Sequence, residues 1–416
     1  MSVITRLGDD LDTFYRNLMD GKSGITNWHG VDTSRIYSKV GGDLSDYDYM
    51  AKLASLRERL PQAMGKRLRK LVRRAPFTTR LSMLAAAEAA LDAGVAGELD
   101  PERTSIAVAG HNLNKMYHHE NNLQFEEEPD YIDNLSSLHS LDTDHAGSLS
   151  EALGIYGPIY TMGGACASAN IAMRNAVDEI RYHDYDIGIV CGAALEFAPL
   201  DLHAMCLMGA ITFQSFNDDP ERASRPYDTK REGFVPSHGT AVLILEELEH
   251  AKKRGAKIYA ELLGVTAASD GNHLPNPSID GQARTMRRLL KNCHVDASEI
   301  DYINAHATST PLGDITEIGS IKAVFGDHAK NLKINAPKSM LGHTCWSAAA
   351  VETVAGVMQL RNGWLHPSVN IEELDPRVDL EVCANEPREH KINYMLKNSF
   401  GFGGINCCSL LKRFDG

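Results

Sequence analysis

The stretch best suited to chemistry has a cysteine at its centre. Residues 156–173 read Tyr-Gly-Pro-Ile-Tyr-Thr-Met-Gly-Gly-Ala-Cys-Ala-Ser-Ala-Asn-Ile-Ala-Met, with Cys166 just after Gly163 and Gly164. A short apolar run leads in, and Ile171, Ala172, Ala176, Val177 and Ile180 then recur on one helical face. Cys166 therefore falls on a strand-to-helix turn. The first N–H groups of a helix lack internal partners and favour negative charge beside them, so a thiol there is expected to have a lowered pKa and to be more nucleophilic. Ala165, Ala167 and Ser168 leave room for a substrate. The alternative is a buried cysteine acting as a small hydrophobe, and both readings stand at this point.

Three further stretches carry polar groups at turns. Asn304-Ala-His306-Ala-Thr308-Ser-Thr310-Pro-Leu-Gly-Asp314-Ile-Thr-Glu317 places a histidine at the end of a predicted strand, beside small hydroxyl residues. Lys338-Ser-Met-Leu-Gly-His343-Thr places a lysine and a second histidine after another strand. Asn398-Ser-Phe400-Gly-Phe402-Gly-Gly-Ile-Asn406 is a glycine-rich turn, where backbone can approach a reacting atom closely. Singly, these read as a hydrogen-bonded histidine or an ordinary turn. They gain weight only as a set.

Strands alternating with helices must position that set. Before Cys166, residues 8–25 read as a capped helix, Trp28 to Tyr49 as a surface loop, 78–94 as an alanine-rich helix and Thr104 to Gly110 as a strand. Residues 111–148 are polar, without clear periodicity, and read as a surface excursion near a subunit contact. After Cys166 come a strand at 186–193, an apolar strand in 224–247 and another at 257–265. Helices at 281–292, 314–325 and 346–361 then alternate with strands at 301–305 and 333–336. This order predicts layered α/β architecture in two halves, 1–250 and 251–416, with no visible sequence repeat.

With 416 residues, 43% of them hydrophobic, the chain can bury a large core. Its net charge of −13 argues against a general nucleic-acid or anionic-membrane binder. Against that background Lys66, Arg67, Arg69, Lys70, Arg73 and Arg74 form a basic run without an acid between them. It is either a solvated helix face or a docking patch for an acidic partner. The eight cysteines show neither C-x-x-C pairs nor metal-ligand spacing, and the N-terminus shows no signal-peptide pattern, which predicts a reduced, cytoplasmic protein without a metal. No nucleotide-cofactor motif is seen.

Taken together, the four stretches resemble, in order and nearly in spacing, the active-site motifs of the elongating β-ketoacyl synthases, which have the thiolase fold. The resemblance spans almost the whole chain, including Arg225-Pro-Tyr-Asp228 and Glu232-Gly-Phe234. It implies two similar halves in an α-β-α-β-α sandwich, and acyl transfer to Cys166 from the phosphopantetheine arm of an acyl carrier protein. Decarboxylative condensation with a malonyl thioester would follow, the enolate being stabilised by His306 and His343. By the same resemblance, the N–H groups of Cys166 and Phe402 form the oxyanion hole and Phe402 gates the acyl pocket. Lys338 and Glu317 form an internal ion pair, with Asp314 supporting the site. Thr308 and Thr310 bind the pantetheine arm, and the basic run docks the carrier protein. The resemblance also implies a homodimer, and no cofactor bound by the enzyme itself. Met205, Leu207 and Met208 are candidates for lining the pocket.

Five departures mark a specialised branch. The chain starts almost inside the family's first strand, near Val3, so that strand is either truncated or missing. Ala307 replaces a glycine, which narrows the pocket. Thr344-Cys345-Trp346-Ser347 introduces a bulky side chain after His343, Pro236-Ser237-His238-Gly239 replaces a Gly-Glu-Gly-type turn, and Ile405 replaces a threonine. The residues around Cys166 are also similar to free-standing ketosynthases of polyketide pathways. Two alternatives to condensation remain. One is a malonyl-carrier-protein decarboxylase of a β-branching cassette. The other is a non-catalytic chain-length-factor-like partner subunit, against which the retained Cys166, His306, Lys338 and His343 count.

Overall fold

The computed structural model describes all 416 residues. Ten strands build two mixed sheets. In the first, β1 (Ser2–Ile4), β2 (Thr104–Ala109), β3 (Ile159–Met162), β4 (Ile187–Gly192) and β5 (Thr240–Glu246) lie in the order β1-β5-β4-β2-β3. In the second, β6 (Ala260–Ser269), β7 (Tyr302–Asn304), β8 (Lys333–Asn335), β9 (Tyr394–Gly401) and β10 (Ile405–Arg413) lie in the order β6-β10-β9-β7-β8. The second order is the first with every label advanced by five. Strand directions correspond as well: β2 is parallel to β3 and β4, β7 is parallel to β8 and β9, and the other pairs are antiparallel. The repeat that the sequence conceals is this duplicated topology. The opening strand is present, Ser2 to Ile4 pairing with Val242 to Thr240.

Parallel neighbours need crossovers, and here these carry the helices. α1 (Phe77–Asp92) covers the outer face of the first sheet, and α2 (Ser168–Tyr182) packs on its inner face. α3 (Ile279–Cys293), with α4 (Gly313–Phe325) against it, covers the outer face of the second sheet, and α5 (Ala348–Asn362) packs beside α2 between the two sheets. Layering of this kind leaves central elements no wet face. Every residue of α5 from Ala348 to Leu360 is buried, so it lacks the polar stripe of a surface helix. β2 and β4 are buried throughout for the same reason. The longest helix has 16 residues, and no helix is long and apolar enough to cross a membrane.

The excursion expected at 111–148 is largely exposed, as read, but helical, and the surface loop expected at 28–49 is corrected. Residues 111–148 contain helices Lys115–Glu127 and Ser136–His139 and the start of the helix Asp142–Leu153. The first of these buries no residue at all, so it offers no apolar period to read. The segment 28–49 is not simply surface, since Trp28, Val31, Ile36, Val40 and Leu44 are all buried.

Candidate active site

The head of each central helix is built alike, and the reacting groups gather between the two heads. Ala165 is left-handed (φ +47°) and opens the three-residue turn Ala165–Ala167 that leads into α2. Cys345 is likewise left-handed (φ +50°) and opens the turn Cys345–Ser347 that leads into α5. The first turn presents Cys166, and His343 stands just before the second. Ser168 closes the first turn, its hydroxyl donating to Ala165 O and accepting from Gly164 N.

Cys166 is 9% exposed. Its sulfur lies 3.0 Å from His343 Nε2, and the backbone N–H groups of Phe402 and of Cys166 itself favour its ionised form. Phe402 sits at the tip of the β9–β10 hairpin. Gly401 lets that hairpin come so close: a Cβ there would lie 2.6 Å from Gly164 O and 3.3 Å from Cys166 N. The expected low thiol pKa is overturned. Burial pushes it up to about 11, and the Lys338 ammonium and the two N–H groups offset only part of that.

The two histidines come from the second half. His343 Nδ1 accepts the backbone N–H of Cys345 at 3.1 Å. Because a backbone amide can only donate, the neutral ring carries its proton on Nε2, facing the sulfur. His306 follows β7, and its ring stands 5.6 Å from that of His343 at 83°. Burial, and then the Lys338 ammonium, hold both imidazoles well below their usual pKa, so both are neutral near pH 7. Side-chain donor atoms of Cys166, His306 and His343 lie within 4.8 Å of one another. By type the three would suit a soft divalent ion. The positive charge beside them is that of Lys338, whose Nζ lies 3.5 Å from His306 Nδ1.

The Lys338–Glu317 pair expected from the sequence does not form. Lys338 donates to His306 O at 2.7 Å and pairs with Glu352, which also takes Lys397 at 2.5 Å. All three side chains are at most 2% exposed. Glu317 instead accepts the backbone N–H groups of His306 (2.9 Å) and Ala307 (2.8 Å) and the amide of Asn398 (2.9 Å), clamping the loop that carries His306. Burial raises its pKa against those three donors. Glu352 and Lys397 were not singled out in the sequence. Their signal was a lone charge in an otherwise apolar element, Ala-Ala-Ala-Val-Glu-Thr-Val-Ala for one and Tyr-Met-Leu-Lys for the other.

A channel of about 350 Å³ reaches Cys166, lined among others by His306, His343, Thr308, Thr310, Met208 and Phe402. The hydroxyls of Thr308 and Thr310 are 3.1 Å apart. Asp314 holds their loop by accepting from the N–H groups of Ser309, Thr310 and Tyr227. Burial pushes its carboxyl up to about 6, opposed by Arg231. Of the three pocket candidates only Met208 lines the channel. Leu207 is 69% exposed, and Met205 packs in an apolar cluster beside the site. In the basic run, which spans the helix Gln62–Val72 and its end, Lys66, Arg69, Lys70, Arg73 and Arg74 are exposed and Arg67 is half-buried.

A duplicated α/β half, with a thiol on one central helix and two histidines contributed across the interface, defines a thiolase-like condensing-enzyme architecture. Residues 1–251 match the N-terminal domain of β-ketoacyl synthase and residues 259–372 its C-terminal domain. The chain belongs to the β-ketoacyl synthase family, acyltransferases that form carbon–carbon bonds. It is 36% identical to the chloroplastic 3-oxoacyl-[acyl-carrier-protein] synthase II of Arabidopsis thaliana, over 98% of this chain and 73% of that protein. Against 3-oxoacyl-[acyl-carrier-protein] synthase 2 of Coxiella burnetii the identity is 33%, over 100% and 98% of the two chains. Among solved structures, a β-ketoacyl synthase from Burkholderia phymatum superposes with a TM-score of 0.88 at 28% identity, covering 99% of this chain and 98% of that one. A type II polyketide ketosynthase, solved with its acyl-carrier protein, gives 0.86 at 28% identity, covering 100% and 98%.

Proposed function

We propose that this chain is a free-standing β-ketoacyl-acyl carrier protein synthase of a polyketide or fatty-acid pathway, with Cys166, His306, His343 and Lys338 as its working residues. The observation that carries this reading is the convergence of Cys166, His306 and His343, their donor atoms within 4.8 Å of one another, in the lining of one channel of about 350 Å³.

In the first step Cys166 Sγ attacks the acyl thioester carbonyl. The N–H groups of Cys166 and Phe402, which favour negative charge at the sulfur, receive the developing oxyanion. The pantetheine sulfur leaves and takes up the thiol proton, so the exchange consumes no net proton. This suits a thiol held protonated by burial. In the second step malonyl thioester enters the same channel. The bond to its carboxylate breaks, carbon dioxide leaves, and the enolate oxygen is met by N–H donors of His306 and His343. The enolate carbon then attacks the acyl carbonyl, and Cys166 leaves as a thiolate that is reprotonated. Burial, and then the Lys338 charge, keep the rings neutral, so each enters the step with one N–H to donate. Thr308 and Thr310 are the hydrogen-bonding partners for the arm's amides.

The carrier protein is read as the acidic partner of the basic run on the helix Gln62–Val72. Edge strand β3 is read as the seam of a homodimer, since its outer edge is unpaired and Tyr156, Ile159 and Tyr182 stand exposed nearby. A cytoplasmic location suits the eight free thiols, seven of them buried. The two halves of the fold are read as meeting near residue 250.

Intact-protein mass spectrometry of the parent and Cys166→Ala, incubated with acyl- and malonyl-carrier proteins, tests the reading. An acyl adduct that vanishes in the variant, together with ketoacyl product, is expected. Carbon dioxide release without any adduct would make the chain a decarboxylase. Neither activity would leave the partner-subunit reading.

A further inference from the structure

Under the proposed reaction both substrates arrive on the same kind of arm, so the channel that delivers the first acyl group must be free again for malonyl. The chain left on Cys166 has to turn away from the channel and into protein. On that side an apolar cluster adjoins the sulfur: Phe197, Cys206, Ile211, Phe234 and Cys345 are buried together, with Met116 and Met205 packed on them. Phe234 also lines the channel, and its ring is 5.2 Å from that of His343. The cluster therefore begins beside the reacting sulfur. Its methionines and cysteines are soft side chains that can shift to admit a guest.

The far end is rigid. Trp346 stands at the head of α5 as Cys166 stands at the head of α2, each the second residue of its three-residue turn. The indole stacks on the His111 ring at 4.6 Å with 27° between planes, and its Nε1–H donates to His111 O at 2.9 Å. Backbone presses on the pair from both sides. A Cβ on Gly110 would lie 3.2 Å from Trp346 Cδ1, and one on Gly163 would lie 2.5 Å from His111 Nδ1. Trp346 also packs into the main core of the first half, so it cannot swing away without disturbing that core.

We propose that the acyl pocket lies among Phe234, Cys345, Met116 and Met205 and is ended by the stacked Trp346 and His111. The enzyme then loads acetyl- to butyryl-sized groups and refuses long chains. This rests on the condensing-enzyme reading and adds to it the class of acyl substrate.

The test offers acetyl-, butyryl-, octanoyl- and dodecanoyl-pantetheine thioesters in turn to the parent, Trp346→Ala and His111→Ala. Rates of adduct formation at Cys166 are followed by intact mass and peptide mapping. The parent is expected to load octanoyl at least tenfold more slowly than acetyl, and Trp346→Ala to raise the octanoyl-to-acetyl ratio at least tenfold, with His111→Ala moving it the same way. A parent that loads octanoyl as fast as acetyl overturns the proposal. So does a variant with native near-UV circular dichroism whose ratio stays at the parent value. Should Trp346→Ala fail to fold, Trp346→Leu and His111→Ala decide the matter by the same ratio. A parent that loads no chain of any length overturns the condensing-enzyme reading itself, and the proposal with it.

Discussion

His343 Nε2 lies 3.0 Å from Cys166 Sγ while its Nδ1 is occupied by the amide of Cys345. The imidazole is thereby fixed as a donor towards the reacting centre, and in its neutral form it has no free lone pair there with which to act as a base.

From this, His343→Ala should damage decarboxylation more than acyl loading. Losing one oxyanion donor typically costs about a hundredfold, roughly 3 kcal/mol. Carbon dioxide release from malonyl-carrier protein is expected to fall by that order. Formation of the Cys166 adduct, served by the N–H groups of Cys166 and Phe402, should fall by no more than about tenfold. Equal losses in both steps would contradict the donor assignment.

The resting state of Cys166 sets a second expectation. A thiol pushed up to about 11 by burial is protonated at neutral pH, and its thiolate fraction rises as pH climbs towards that value. Iodoacetamide labelling of Cys166, followed by peptide mapping, should accelerate roughly tenfold per pH unit between 7 and 9, with no plateau there. Lys338→Met removes the nearby cation that lowers this pKa, so labelling at a given pH should slow further. A plateau near pH 7 would mean that the helix head outweighs burial after all.

How much of this was readable beforehand follows from where each signal sits. Cys166, His306, Lys338 and His343 were legible because each stands at or near the break that follows a strand, where a polar residue interrupts an apolar run. The partner of Lys338 was not. Glu317 and Glu352 are both acids in helices near the site in sequence, and only packing shows that Glu317 faces the backbone of His306 while Glu352 faces the lysines. The thiol pKa was misjudged for a related reason: a helix terminus is visible in sequence, but the depth at which it is buried is not. The duplication was hidden because topology, unlike a coiled-coil heptad, puts few demands on residue identity. The helix Lys115–Glu127 was missed because it buries nothing and so shows no period.

The Glu352 cluster makes a prediction about stability. One carboxylate serves two buried ammonium groups, Lys338 and Lys397, so Glu352→Gln leaves both without their paired carboxylate. Breaking a buried pair in this way costs about 3–5 kcal/mol, which should appear as a clear fall in the denaturant midpoint. The pH dependence gives the sign. Burial already lowers the Lys397 pKa, opposed by Glu352, and removing Glu352 lowers it further. The folded state then binds fewer protons than the unfolded state between that lowered pKa and the ordinary lysine value. Stability of the variant should therefore rise with pH across that interval, recovering part of the loss by pH 9 to 10. A loss that does not change with pH would mean that the two lysines find other partners.

The basic run allows a test that separates docking from chemistry. Lys66, Arg69 and Lys70 are exposed on one helix, and the one carboxylate within reach of this trio is Glu151, 3.4 Å from Lys70. Exposed pairs of this kind contribute little to folding, so Lys66→Glu with Arg69→Glu should leave the thermal midpoint within about 1–2 °C of the parent. An acidic carrier protein would be repelled by the reversed charges, and its KM should rise at least tenfold at low salt, with the gap narrowing as ionic strength screens the surface. Loading from free acyl-pantetheine, which has no acidic protein attached, should be unchanged, because the channel and Cys166 are untouched. If both donors lose rate together, the helix acts on the site through the fold. If neither does, the carrier docks elsewhere on the rim of the channel, where Met208, Leu274 and Leu312 are exposed.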